Sequence, residues 1–223
     1  MRVLGLDTAT TAAAIAIVDE GRIVGHAVHD TSGRRSTDFL VGIDKLCSDH
    51  GIAPRDFDAI AVGAGPGSFT GLRIGMATAK GIAFAAGKPL WVVSSLAALA
   101  FDAKHPNVAA VLDARRGEVF AGLYREGSLI GEERVMPPTE LAAWVASQLG
   151  DAQFTGDALS AYPELSSLGD RWHVATPSGS AVALLALAGP RTDVLTSGAP
   201  MYIRASEAEI KYPDGVPGAL RKR

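Results

Sequence analysis

The chain has 223 residues, 48% of them hydrophobic, and a mean hydropathy of +0.18, which excludes a disordered polypeptide. Its 21 basic and 24 acidic residues give a net charge of −3, which disfavours a protein that binds nucleic acid on its own, since such proteins carry a basic excess. The single cysteine, Cys47, excludes an internal disulfide, and proline or charge interrupts every apolar stretch before the roughly 20 residues of a membrane span. We therefore predict a folded cytoplasmic protein with no membrane association.

The first hundred residues predict three strands followed by alternating helices and strands. An apolar run ends at Asp7, and two more, at 12–18 and 22–28, flank a turn at Glu20-Gly21. Helical spacing then predicts an amphipathic helix at 36–50, capped by Ser36 or Thr37. A buried strand at 58–63, a glycine-rich turn, a helix at 71–86 and a strand at 91–93 follow.

The second half repeats the opening pattern at a constant offset of 106 positions. Asp7 aligns with Asp113 and Glu20-Gly21 aligns with Glu126-Gly127, without a gap. Helices are predicted at 138–149 and 180–188, but no second glycine-rich turn occurs. The sequence thus predicts two similar α/β domains, at 1–100 and 101–223, with the second degenerate and ending in a polar tail.

The glycine-rich turn at 63–71 joins a strand to a helix, where free backbone N–H groups can bind an anion. It matches neither the Walker A spacing nor G-x-G-x-x-G. The alternative is a tight turn capped by Ser68 or Thr70, whose glycines allow close packing, and the two interpretations have equal weight. The candidate anion-site residues are Asp7, Thr8, Gly65, Gly67 and Ser68.

No catalytic constellation follows from the other polar residues. Asp7 and Asp113 could hold Mg²⁺ or orient a water, but aspartates at strand ends more often cap the following turn, and we favour that structural role. The five histidines lack metal-ligand spacing, and Cys47 lies on the apolar side of its helix. We predict no catalytic residue and no metal site.

Four segments are distinctive together: residues 4–10 (Leu-Gly-Leu-Asp-Thr-Ala-Thr), 65–75 (Gly-Pro-Gly-Ser-Phe-Thr-Gly-Leu-Arg-Ile-Gly), 113–115 with 118–119, and 202–204 (Tyr-Ile-Arg). In this order they resemble the TsaB family, formerly YeaZ. The resemblance implies the actin-like, sugar-kinase and Hsp70 ATPase (ASKHA) fold. It also implies a non-catalytic scaffold, required with TsaD and TsaE to transfer the threonylcarbamoyl group to adenosine 37 of tRNAs that read codons beginning with A.

The same resemblance implies a heterodimer with TsaD, contact with TsaE, and tRNA binding only through the complex. ATP is then used by the complex, and no cofactor is bound firmly by this subunit. The metal-bearing paralogue TsaD carries a His-x-x-x-His pair on the helix that matches 36–50, where this chain has none.

The resemblance also places the partner surface on the helices at 36–50 and 71–86, which pair with TsaD or, in its absence, with a second copy. Gly71, Gly75, Ala79 and Ala83 form a small-residue ridge that packs either on that partner or on this chain's own sheet. The predicted partner-binding residues are Phe39, Ile43, Leu46, Gly71, Leu72, Gly75, Met76 and Ala79.

Two other functions remain as alternatives. The first is an independent actin-like ATPase or sugar kinase, which requires a nucleotide loop that the second half lacks. The second is a glycoprotease-like metallopeptidase, which requires metal ligands that the sequence does not supply.

Overall fold

The computed structural model describes residues 1–30 and 37–204 and arranges them around two mixed sheets. The first sheet has the order β3-β2-β1-β4-β5, with β1–β3 antiparallel and β4 and β5 parallel to β1. Its strands are β1 (Arg2–Asp7), β2 (Ala12–Asp19), β3 (Arg22–Asp30), β4 (Ala59–Gly63) and β5 (Leu90–Val93). Helices α1 (Thr37–Asp49) and α2 (Phe69–Ala86) contribute to one apolar core with this sheet.

The second sheet has the order β11-β10-β6-β7-β8, and β9 also pairs with β7, along its residues 119–121. Its strands are β6 (Asn107–Arg115), β7 (Glu118–Arg125), β8 (Ser128–Leu129), β9 (Arg134–Met136), β10 (Gln153–Thr155) and β11 (Trp172–His173). The remaining helices are α3 (Ser95–Ala103), α4 (Pro138–Leu149), α5 (Ala158–Ala161) and α6 (Gly179–Ala188), with short 3₁₀ helices at Pro54–Asp56 and Pro163–Arg171.

The two sheets have one topology, which confirms the predicted repeat. In each, the opening strand lies at the centre, with an antiparallel pair on one side and a parallel pair on the other. The aligned turns also share their backbone: φ is 49° and 74° at Glu20-Gly21, and 48° and 76° at Glu126-Gly127. Both turns have the two left-handed residues that a type I′ hairpin requires.

Several predicted elements differ in detail from the observed ones. The predicted helix at 36–50 is described from Thr37 to Asp49, so the Ser36 cap lies outside the described residues. Helix α2 starts two residues earlier than predicted, because Ser68 is its N-cap and its Oγ accepts a hydrogen bond from Gly71 N. Helix α3, capped by Ser94, was not predicted, because its nearly continuous apolar sequence has no periodic polar face.

Helix α6 belongs in sequence to the second half but packs on the first sheet. Its alanines form an apolar cluster with Val3, Val18 and Trp91. A Cβ atom at Gly5 would overlap the carbonyl oxygen of Gly179, so glycine allows this helix to lie directly on β1. The segment predicted as a second domain, 101–223, therefore also supplies one layer of the first domain.

Candidate functional site

A cleft of about 640 Å³ lies between the two sheets. One wall is formed by the β1–β2 loop and the start of α2, and the opposite wall by the β6–β7 hairpin and Asp157. The chain segment Met201–Arg204 crosses from one wall to the other. This volume falls within the range of small-molecule binding sites.

The glycine-rich turn serves mainly to bring α2 close to the β1–β2 loop. A Cβ atom at Gly67 would overlap Ala9, and one at Gly71 would overlap the carbonyl oxygen of Thr8. The Oγ1 of buried Thr8 donates to the carbonyl of Gly71 at 2.8 Å. These contacts match the close-packing interpretation of the glycines.

Gly65 has a φ of +111°, and a Cβ there would overlap a methyl group of Leu72. Of the five candidate anion-site residues, only Gly67 and Ser68 line the cleft.

Asp7 is fully buried, and both of its carboxylate oxygens are engaged by the fold. Oδ1 accepts the backbone N–H of Ala9 at 2.8 Å, and Oδ2 accepts the hydroxyl of Ser95 at 2.7 Å. Burial raises the pKa of Asp7 from 3.8 to about 6, against the two hydrogen bonds, which lower it. Asp7 therefore connects the end of β1 to the start of α3 and does not face the cleft.

Asp113, at the equivalent position of the second sheet, does reach the cleft but is also engaged. Its Oδ1 accepts from Arg115 N at 2.7 Å and from the Tyr162 hydroxyl at 3.0 Å, and its Oδ2 lies 3.0 Å from Arg115 Nη1. The Asp113 N–H donates to Asp157 Oδ1 at 2.9 Å, and burial raises the pKa of Asp157. These contacts match the structural role predicted for Asp113.

The segment Met201–Arg204 holds the two halves together, and we call it the strap. On the first half, Met201 N donates to the carbonyl of Ala64, and the Tyr202 ring packs 5.1 Å from that of Phe69. On the second half, Arg204 Nη1 lies 2.9 Å from Glu118 Oε2. The sequence marked 202–204 only through a family resemblance, since nothing local indicates that this segment bridges the cleft.

Arginines dominate the charge of the cleft. Arg73 on α2 lies over the Phe69 ring at 3.9 Å and donates through Nε to the Tyr202 hydroxyl at 3.1 Å. The full set of lining arginines is Arg73, Arg115, Arg116 and Arg204, against the acidic residues Asp113 and Asp157. Sequence reasoning did not bring these arginines together, because they come from three segments far apart in the chain.

The predicted partner-binding residues lie mainly inside this chain's own core. Seven of the eight are buried there, and Gly71 is half-buried; the buried ones are Phe39, Ile43, Leu46, Leu72, Gly75, Met76 and Ala79. A Cβ atom at Gly75 would overlap Thr8 Oγ1. The small-residue ridge therefore packs on this chain's own structure. Its glycines allow the β1–β2 loop to lie close to α2.

The outward faces of the same two helices carry exposed apolar residues. On α2, Phe84 is 80% exposed, and Ala77 and Gly81 beside it are exposed too. On α1, Val41 is 65% exposed and Leu40 is 49% exposed. These residues cover no part of the described core.

The described residues contain neither a group of potential metal ligands nor a helix suited to cross a membrane. Across residues 1–30 and 37–204, no three His, Cys, Asp or Glu side chains are grouped so that they could hold a metal ion. Over the same part of the chain, no helix has the length and apolar content needed to cross a membrane.

Comparison with known proteins gives consistent matches. The family model of TsaD, the tRNA N6-adenosine threonylcarbamoyltransferase, matches residues 30–212. A protein of Bacillus subtilis named tRNA threonylcarbamoyladenosine biosynthesis protein TsaB is 31% identical over 95% of this chain and 98% of its own length. The solved structure of YeaZ from Pseudomonas aeruginosa has a TM-score of 0.75 and 31% identity, covering 90% of this chain and 99% of that one.

A more distant structure shares the fold alone. Component A of (R)-2-hydroxyglutaryl-CoA dehydratase from Acidaminococcus fermentans has a TM-score of 0.52 at 11% identity, covering 83% of this chain and 97% of that one. Together with the duplicated sheet, it places the chain in the ASKHA fold class that the sequence predicted.

Proposed function

This chain belongs to the TsaB family of tRNA threonylcarbamoyladenosine biosynthesis proteins, and we propose that it acts there as a non-catalytic scaffold for TsaD. In this proposal TsaD carries out the transfer to adenosine 37, TsaE joins the complex, and tRNA is modified by the assembly. ATP is consumed by the complex and is not held firmly by this subunit. The proposal includes a cytoplasmic location, where tRNA is modified.

One observation supports the non-catalytic role most directly: the carboxylates of Asp7 and Asp113, at the ends of their strands, are both hydrogen-bonded within the fold. General acid–base catalysis requires a carboxylate that can reach the proton it transfers. Asp7 has no exposed surface and accepts two internal hydrogen bonds, while Asp113 accepts from Arg115 and Tyr162. Both side chains are therefore engaged by the fold, which supports the proposed non-catalytic role.

The open faces of α1 and α2 support the scaffold role. Exposed apolar patches on folded proteins mark interaction surfaces, and small helix residues let a partner helix approach closely. Phe84 supplies a large apolar side chain beside the small residues Ala77 and Gly81. We assign the TsaD contact to these outward residues, on the same two helices that the resemblance indicated. A second copy of the chain would use the same face when TsaD is absent.

The test is a reconstituted tRNA modification assay with TsaD, TsaE, threonylcarbamoyl-adenylate and an unmodified tRNA. We expect modification only when this chain is added, and we expect full support from the Asp113→Asn variant, since the proposal gives its carboxylate no chemical role. Modification at the full rate without the chain would rule out the scaffold role. An activity lost in Asp113→Asn, with the variant still folded and bound to TsaD, would instead show a catalytic role.

A further inference from the structure

We propose that the strap is a releasable clasp that fixes the angle between the two halves of the chain, with helix α3 as the hinge. The halves are the first sheet and the second sheet, each with the helices that pack on it. The strap, Met201–Arg204, makes contacts with both of them. This inference concerns the isolated chain and does not depend on the scaffold role.

The hinge is assigned to α3 because polar contacts from both halves meet at its first turn. Ser95, the first residue of the helix, donates to Asp7 Oδ2 at 2.7 Å, and Asp7 ends β1 in the first sheet. Ser94, the N-cap, donates to Glu133 Oε1, which also accepts the hydroxyl of Tyr124 on β7 at 2.7 Å. Two neighbouring serines therefore attach the same helix to both sheets.

A second connection between the halves reaches the other end of α3. The chain returns from the second sheet to the first at Ser178, the N-cap of α6. Ser178 forms a hydrogen bond with Asp102, in the last turn of α3. The two connections thus lie at the two ends of one helix. Two connections along one line leave a rotation about that line free, so a third contact away from the line is needed to fix the angle.

The strap supplies this third contact. Its second-half end is the ion pair between Arg204 Nη1 and Glu118 Oε2, at 2.9 Å. Glu118 begins β7, and the same strand reaches the hinge through Tyr124. At about 3.3 Å per residue, these two residues are separated by roughly 20 Å along the strand. The ion pair therefore resists rotation through a long lever arm.

The contacts of the strap can be released without unfolding either half. The side chains of Arg204 and Glu118 are 24% and 36% exposed, and a partly exposed ion pair contributes little to stability. Tyr202, which packs on α2, is 41% exposed. The hinge contact between Asp7 and Ser95 differs, because both residues are fully buried. Loss of the ion pair is therefore expected to free the angle and to leave the hinge intact.

The experiment measures the distance between two spin labels in the isolated chain by double electron–electron resonance. The labels are attached at Ser48→Cys on α1 and Ala142→Cys on α4, because both positions are exposed and belong to different halves. Cys47→Ala removes the native thiol. Thermal unfolding of each variant shows whether it is folded.

The clasp variants are Arg204→Gln and Glu118→Gln, which break the same ion pair from opposite ends. The matched control is Arg2→Gln. Arg2 pairs with Asp19 at 2.6 Å, and their side chains are 32% and 28% exposed, but both residues lie in the first sheet. The control therefore loses an ion pair of similar exposure without losing a contact between the halves.

We expect one narrow distance distribution for the unmodified chain and for the control, and a broader one, shifted by about 3 Å or more, for both clasp variants. Salt should broaden the distribution of the unmodified chain, since at about 1 M NaCl the Debye length is only about 3 Å. The proposal is overturned if the folded clasp variants keep the distribution of the control. If neither clasp variant folds, the salt series decides, and a distribution that salt leaves unchanged overturns the proposal.

Discussion

The two faces of helix α2 carry the same kinds of residue in opposite environments. On the inward face, Gly75 and Ala79 lie four residues apart and are buried against the chain's own structure. On the outward face, Ala77 and Gly81 have the same spacing and are exposed, and a Cβ atom at Gly81 would meet nothing within 4 Å. Small residues at helical spacing thus indicate that something approaches closely, but not which face it approaches.

The first prediction contrasts one glycine on each face. Gly75→Leu should destabilise the chain by about 3 kcal/mol or more, because its side chain would overlap Thr8 in a packed region. Gly81→Leu should leave the free energy of unfolding unchanged or slightly higher. Urea unfolding of the two variants measures the difference, and equal stabilities would contradict the assignment of the two faces.

The second prediction concerns Asp7, the last residue of β1. It directly precedes Thr8, which Gly75 on the inward face of α2 contacts. Its pKa is about 6 in the folded chain against an ordinary value of 3.8, so the folded state retains this proton more strongly than the unfolded state does. The resulting stabilisation is complete below pH 3.8 and is lost as the pH rises to about 6. At about 1.4 kcal/mol per pKa unit, the loss is on the order of 3 kcal/mol.

Asp7→Asn removes this titration while keeping an oxygen acceptor for the Ala9 N–H. We therefore expect its free energy of unfolding, relative to that of the unmodified chain, to increase by about 2.4 kcal/mol between pH 4 and pH 7. Denaturant unfolding at several pH values measures this difference. A difference that does not change with pH would show that Asp7 is not desolvated as described.

The smallest predicted effect is on the stability of the chain when a methyl group is added at Gly81, on the outward face of α2. Gly81→Ala should stabilise the chain by up to about 1 kcal/mol, because alanine restricts the unfolded backbone and nothing obstructs its methyl group. Gly75→Ala, the same substitution on the inward face, should destabilise the chain because even a methyl group would overlap Thr8 Oγ1. Thermal unfolding distinguishes the two, and a loss of stability at position 81 would indicate an unseen contact on that face.

The sequence predicted those features of the fold that local patterns record. The repeat at offset 106 indicated the common topology of the two sheets, because Asp7 with Asp113 and Glu20-Gly21 with Glu126-Gly127 mark the same turns. The position of α6 could not be predicted in this way, because its almost continuous apolar sequence fits any buried location. Its place on the first sheet depends on the distant contact between Gly5 and Gly179.

The site was less predictable than the fold for the same physical reason. The glycine-rich turn was visible in the sequence, but whether its glycines face a ligand or the protein depends on the β1–β2 loop, which fills that space. The cleft arginines come from α2, a hairpin and the strap, so their proximity is a property of tertiary structure. Likewise, residue types alone did not separate the inward face of α2 from the outward one.

The most direct test of the scaffold account is the dissociation constant for TsaD of two matched variants, Ala77→Leu on the outward face of α2 and Ala143→Leu on the exposed face of α4. Both place a leucine on an exposed helix surface, so both should remain folded. We predict that Ala77→Leu weakens TsaD binding at least tenfold, because the added side chain blocks a close helix contact, and that Ala143→Leu stays within twofold of the unmodified chain. A folded Ala77→Leu variant that binds TsaD as tightly as the unmodified chain would contradict the account.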